Sequence, residues 1–401
     1  MKTGIRFQLS VMMFLEFFIW GAWYVTMSTY LATVLEADQV DIGKAYSALA
    51  IATIFSPFFV GMIADRFFPA QKVLGALHLG GAVVLYFLTS VSDPDIFYWV
   101  LLLYSLMYAP TLALVNSVSF GQMLDPGKQF AGIRVLGTIG WIVTGLMIDF
   151  VFNIGPHELA FTFYMAATAS LLLGIWSFFL PDTPPKARGE KVRMADILGV
   201  EAFVLFRDRS FLIFFISSIL ICIPLSFYYS LTNQFLVETG MENVTSNMTL
   251  GQISEGLFIL LIPFFFRRWG VKYMIMLGML AWVLRFVLFG YGDAGPGLWM
   301  LFAGIILHGV CFDFFFVTGQ IYTDTKAGER IKNSAQGMIT MATYGIGMWI
   351  GTLLSGYVSK YYTVDGVHLW KETWLVPAAI AFIVLILFSF LFKDKIKSTA
   401  I

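Results

Sequence analysis

The sequence predicts an all-α integral membrane protein of twelve spanning helices, built as two halves of six. Composition, the length of the apolar runs and the placement of Lys and Arg predict it. Of 401 residues, 59% are hydrophobic and 12% charged, where a soluble domain carries about 25% charged residues. Phe alone appears 41 times, so lipid rather than water is the expected solvent. In lipid every backbone polar group must be satisfied internally, which leaves helices or a closed barrel. The apolar runs here match the roughly 20 residues a helix needs to cross a bilayer core, not the ~10-residue alternation of barrel strands.

The runs fall near 9–31, 45–65, 73–92, 97–120, 133–154, 159–180, 210–236, 248–266, 272–291, 297–322, 334–358 and 373–392. The first follows Lys2 and Arg6 and so resembles a signal peptide. It is longer than a signal h-region and has no small-residue cleavage site, which predicts a retained helix. Between the sixth and seventh runs stand Pro181, Pro184 and Pro185 with Lys186, Arg188, Glu190, Lys191 and Arg193. The expected organisation is a six-helix bundle over 1–180, a cytoplasmic linker over 181–209 with a short interfacial helix at 194–206, and a second bundle over 210–401.

Basic residues set the orientation. Counting the termini and every second loop collects 21 of the 25 Lys and Arg. The opposite loops hold only Lys44, Lys360 and Lys371, and Arg285 falls inside a run. Both termini are therefore expected in the cytoplasm. Cys222 and Cys311 lie inside apolar runs and read as core side chains. There is no G-x-x-x-x-G-K-[ST] loop, H-E-x-x-H or Cys/His cluster, so neither ATP-driven transport by this chain nor metal chemistry is expected. No catalytic residue, metal or cofactor is expected, and a proton gradient remains as the energy source. The expected partners are a small solute, protons and the bilayer, with no nucleic acid, and the chain is expected to act as a monomer.

Ionisable groups inside spans are costly and mark function by default. They are Glu16, His78, Glu255, Arg285, His308 and Asp313, with Arg134 at the start of the fifth span. Gln252 and Glu255 are three residues apart and share a helix face, suited to a polar ligand and a proton. Gln252 could instead serve only to satisfy Glu255. Asp313 sits among Phe312, Phe314, Phe315 and Phe316, where desolvation makes its charged form costly, as a proton-coupling group requires. A structural pairing of Asp313 with Arg285 is the alternative. Arg134, Thr138 and Trp141 form one stripe suited to a heterocycle or sugar, although Arg134 could simply anchor its helix at the head groups. Asn116, Tyr228, Tyr229 and Asn233 add polarity, and His78 and His308 read as packing residues.

Gly61-x-x-x-Asp65-Arg66 after the second run, with a weaker basic turn at Arg267-Arg268 after the eighth, resembles the major facilitator superfamily. That resemblance implies two pseudo-symmetric bundles, a midplane substrate site between repeats, and a cytoplasmic gating role for Gly61, Asp65 and Arg66. A narrower resemblance rests on several stretches taken together. They are Trp20-Gly-Ala-Trp23, Pro110 to Asn116, Ile133-Arg134-Val-Leu-Gly137-Thr138, Gln252-Ile-Ser-Glu255, Trp282-Val-Leu-Arg285, Phe312-Asp313 and Ser334-Ala-Gln336-Gly337. In order and spacing they are similar to the bacterial nucleoside:proton symporters. The resemblance implies nucleoside import by alternating access in the bacterial inner membrane. It implies ligand contacts at Arg134, Thr138, Trp141, Gln252, Glu255 and Asp313, with Asn116 beside them and Glu255 and Asp313 coupling protons. Trp141 replaces a typical Phe, and Ser226 and Tyr229 stand where an amide pair is usual. Glu16 replaces an uncharged amide, as a second proton site or a partner for Arg134. The changes at Ser226 and Tyr229 would also suit a sugar or amino-sugar derivative, the alternative cargo.

Overall fold

The computed structural model describes residues 1–125, 129–185 and 200–393, excepting the side chains of Phe58, Asp65 and Glu329. Aspartates start three of its long helices. Asp38 accepts from the Val40 and Asp41 amides, Asp93 from Ile96, and Asp208 from Ser210 and Phe211. Each satisfies amide donors that a helix start otherwise leaves open.

Eleven described helices are long and apolar enough to cross a membrane. One of them, Val244–Tyr291, has 48 residues, or ~72 Å at 1.5 Å per residue, more than twice a bilayer core. It breaks at Gly270, whose φ of 71° and ψ of 178° suit glycine alone. The spans are thus α1 (Thr3–Thr33), α2 (Gln39–Arg66), α3 (Ala70–Leu88), α4 (Pro94–Gly121), α5 (Ala131–Val151) and α6 (Ala160–Ser177). They continue as α7 (Arg209–Glu238), α8 (244–269), α9 (271–291), α10 (Leu298–Gly328), α11 (Arg330–Tyr361) and α12 (Trp370–Leu391). The basic turn expected after the eighth run is therefore a kink at one glycine, not an open loop. Gly328, with φ 64° and ψ 176°, divides α10 from α11 in the same way.

The chain divides into two compact units, Met1–Arg193 and Met194–Ile401. In the first, α1 packs on α5 and α6, α2 on α4, and α3 on α4 and α6. In the second, α7 packs on α11 and α12. Gly309 of α10 meets Ser254 of α8, Gly304 of α10 meets Phe289 of α9, and Phe286 of α9 stacks on Trp374 of α12. The pairing pattern is the same six helices later, which is the internal repeat realised as packing. Exposed side chains such as Val83, Trp99, Leu260 and Phe390 are apolar, as a lipid-facing surface requires.

The linker departs from expectation. Residues 186–199 lie outside the described residues, so only part of the helix expected at 194–206 is described. That part, Val200–Arg207, is 3-10 rather than α. Between α11 and α12 the two-residue strands Thr363–Val364 and Val367–His368 close on Asp365 and Gly366, both at positive φ, as a tight hairpin turn requires. His368 and Trp370 both donate to Glu238 at the end of α7.

Candidate transport site

Each unit carries its own cluster of chemistry inside the spans. In the first unit it begins with the α1–α5 crossing, where Gly140 packs on the backbone of Phe14 and Gly21 on Trp141. That close approach sets Trp20 against Trp141 with ring centroids 5.5 Å apart and against Tyr108 at 6.3 Å. The Arg134 guanidinium lies 4.1 Å from the centroid of Phe17. Arg134, Thr138 and Trp141 are all half-buried on α5, and Asn116 is half-buried on α4. The indole Nε1 of Trp20 is buried with no hydrogen-bond partner. The result is an aromatic surface with a cation and an unused N–H donor, able to hold a flat polar ring.

Glu16 does not behave as expected from its position one turn from Trp20. It is fully buried, and its Oε2 lies 2.9 Å from His78 Nε2 on α3. Its Oε1 accepts from Thr111 Oγ1 on α4 at 2.6 Å. His78 is thus a partner of a carboxylate, not a plain packing residue. Sequence spacing gave no sign of this pair, since 62 positions separate the two residues.

In the second unit the α8–α10 crossing places the acidic groups. Gly309 lets the two backbones meet, and Ser254 Oγ donates to Ile306 O while accepting from Gly309 N. Glu255 follows Ser254, and Asp313 lies one turn beyond Gly309. Asp313 is fully buried and neither of its oxygens has a hydrogen-bond partner. It opens a π-helical turn, Asp313–Val317, a local irregularity often found at functional sites. Glu255 lies close enough to Asp313 and to Tyr229 to act on both electrostatically. The buried Oε1 of Gln252 lacks a partner, so the amide does not serve merely to satisfy Glu255.

Two expectations fail here. Arg285 does not pair with Asp313: its Nη1 lies 3.0 Å from His308 Nδ1, and its guanidinium stacks on Tyr228. Ser226 does not face a ligand. It is fully buried, its Oγ donates to Cys222 O, and Gly351 of α11 packs directly on it. A one-turn slide along α7 separates this packing residue from the half-buried Tyr229. In the gating motif, Gly61 and Arg66 are half-buried near the end of α2, and the Asp65 side chain lies outside the described residues.

A family model described as "Nucleoside H+ symporter" matches residues 1–397. The chain belongs to the nucleoside H+ symporter family. This symporter is 43% identical over 407 residues to YegT of Escherichia coli (strain K12), a candidate nucleoside transporter, covering 98% of this chain and 95% of the relative. It is 36% identical over 419 residues to the xanthosine permease of the same organism, covering 99% of each. The crystal structure of the nucleoside transporter NupG superposes with a TM-score of 0.88 at 33% identity, covering 98% of this chain and all of that one. The symporter is accordingly a multi-pass membrane transporter of nucleosides with protons, with the major facilitator fold, and not an enzyme. Membership also selects the nucleoside over the sugar derivative as cargo.

Proposed function

We propose that this symporter imports nucleosides by alternating access, driven by the proton gradient across a bacterial inner membrane. Both termini face the cytoplasm in this reading, as the asymmetry of Lys and Arg requires. The observation that carries the coupling is Asp313, buried with both oxygens bare. An ionised carboxylate without a partner costs several kcal/mol in such surroundings, so a proton arriving or leaving there changes the balance between conformations. Glu255 is the adjacent acid and senses the same change electrostatically. A proton moving inward supplies roughly 2.3 kcal/mol per 100 mV of membrane potential.

Recognition divides by unit. Gln252 presents an unused acceptor and Tyr229 a hydroxyl, matched to ribose hydroxyls and exocyclic amines. Trp141 and Trp20 offer faces for the base, with Arg134, Thr138 and Asn116 as polar contacts. No metal or organic cofactor is needed for this cycle, and a single chain suffices. Uptake of labelled uridine or adenosine into proteoliposomes tests it: accumulation is expected under an imposed inward proton gradient and none after collapse of that gradient. Absence of nucleoside uptake in both conditions would overturn the reading.

A further inference from the structure

The first unit holds a second buried acid, and its hydrogen bonds fix where the protons are. Ser170 Oγ on α6 donates to the backbone oxygen of His78 at 2.9 Å, so its lone pairs are what face His78 Nδ1 at 3.1 Å. Nδ1 therefore carries hydrogen. On the other side, His78 Nε2 and Glu16 Oε2 stand 2.9 Å apart, and one proton must lie between them. It belongs either to an imidazolium facing a carboxylate or to a neutral ring facing a carboxylic acid, and both forms are neutral overall. Tyr108 Oη donates to the backbone oxygen of Glu16 at 2.8 Å. The Thr111 hydroxyl divides its single hydrogen between Glu16 Oε1 at 2.6 Å and Tyr108 O at 2.5 Å. Four helices, α1, α3, α4 and α6, thus converge on one exchangeable proton.

We propose that the Glu16–His78 pair is a second proton-binding site of the transport cycle, separate from Asp313 and carrying its own proton. Releasing that proton leaves a neutral His78 and an anionic Glu16, a net negative charge where there was none. The titratable or charged groups facing the pair are Tyr104 and Tyr108 from α4 and, beyond Tyr108, Arg134 from α5. From α6 the group in contact is the Ser170 hydroxyl. The pair is also wired to the aromatic surface offered to the base. The Tyr108 ring lies edge-on to His78 at 6.2 Å and to Trp20 at 6.3 Å, and Trp20 contacts Trp141. A base seated on Trp20 and Trp141 is therefore one ring removed from the shared proton, which gives ligand and proton a common element to act upon.

The inference rests on proton-coupled uptake, and its test is the number of protons carried. With two protons per nucleoside, the equilibrium accumulation ratio is the square of that for one. Glu16→Gln is expected to bind nucleoside as the unsubstituted protein does, while its accumulation ratio at a fixed proton gradient falls to the square root. His78→Gln is expected to do the same, and it guards against misfolding of the first variant. An unchanged ratio in variants that bind nucleoside overturns the proposal and makes the pair a cross-link between helices. A second measurement needs no substrate. Purified protein titrated upward in detergent with a pH indicator is expected to release one proton fewer in Glu16→Gln, and equal release overturns the proposal even if uptake of nucleosides itself fails.

Discussion

The guanidinium carbon of Arg285 lies 3.4 Å from the centroid of the Tyr228 ring. Trp282 and Phe289 flank the same cation at 5.5 and 5.6 Å. Arginine has no acceptor, so its hydrogen bond to His308 places a lone pair on Nδ1 and hydrogen on Nε2. A cation with no exposed surface is held here by ring faces and a neutral imidazole. Lysine at this position keeps the charge but loses the flat stack. Arg285→Lys is expected to lower stability by about 2 kcal/mol, the worth of a desolvated cation–π contact. Thermal unfolding in detergent reads this, and an unchanged midpoint would show that the stack contributes little.

Asp313→Asn is expected to separate binding from drive. The amide fills the same space without a titrating proton, so nucleoside exchange down its own gradient persists. Accumulation against a gradient disappears. Wild-type accumulation in this variant would remove Asp313 from the coupling role.

The α8–α10 crossing tolerates no side chain at Gly309. A Cβ there would stand 2.5 Å from the Ser254 carbonyl carbon and 2.6 Å from the Glu255 amide nitrogen. Gly309→Ala is expected to cost about 1–3 kcal/mol as the helices are forced apart, and to weaken nucleoside binding because Glu255 moves with the backbone. Binding measured by calorimetry alongside the unfolding midpoint checks both.

Trp141 is expected to contribute through its ring face. Stacking of a base on an aromatic side chain is worth about 1–3 kcal/mol, so Trp141→Ala should weaken nucleoside affinity by roughly 5- to 150-fold, while Trp141→Phe should lose much less. Equal affinities across the series would place the base elsewhere.

A pH-dependent term lies at the start of α7. Partial burial alone would raise the Asp208 carboxyl, but the Lys326 ammonium at 2.7 Å and the Phe211 and Ser210 amides hold it below its usual value. A carboxyl lowered by folding stabilises the protein above its unfolded pKa and loses that contribution as pH falls through the folded one. Asp208→Ala is therefore expected to cost about 1 kcal/mol near neutrality, chiefly as a lost helix cap. The difference from the parent should narrow below about pH 4. A difference constant with pH would assign the whole effect to the cap's shape.

Much of this was legible in the sequence, for physical reasons that can be named. Hydropathy found the spans because lipid forces a long apolar run for each crossing. Asp313 and Glu255 stood out because an acid inside such a run has no ordinary explanation. What escaped is what depends on rotation about helix axes and on distant partners. Ser226 and Tyr229 lie three positions apart on α7, yet one is locked under Gly351 and the other is half-buried. Arg285 has His308 within reach of its guanidinium and Asp313 does not take that place, a choice made by the α9–α10 packing rather than by charge. Glu16 and His78 meet only because α1 and α3 come together in the first unit. The short helix at 200–207 took the tighter 3-10 form, a difference no hydrophobic pattern encodes.

The π-helical turn at Asp313–Val317 also bears on how α10 can change over time. Such a turn accommodates one residue more than an α-helical turn. Removing one residue within it would turn everything downstream by about 100° and draw it back by about 1.5 Å. Tyr322, Thr323 and Lys326 would then leave their present neighbours, and Lys326 would lose Asp208. Substitution within 313–317 changes one side chain, whereas a deletion re-phases half a helix. Lineages of this transporter are therefore expected to vary in letters here but to conserve the count.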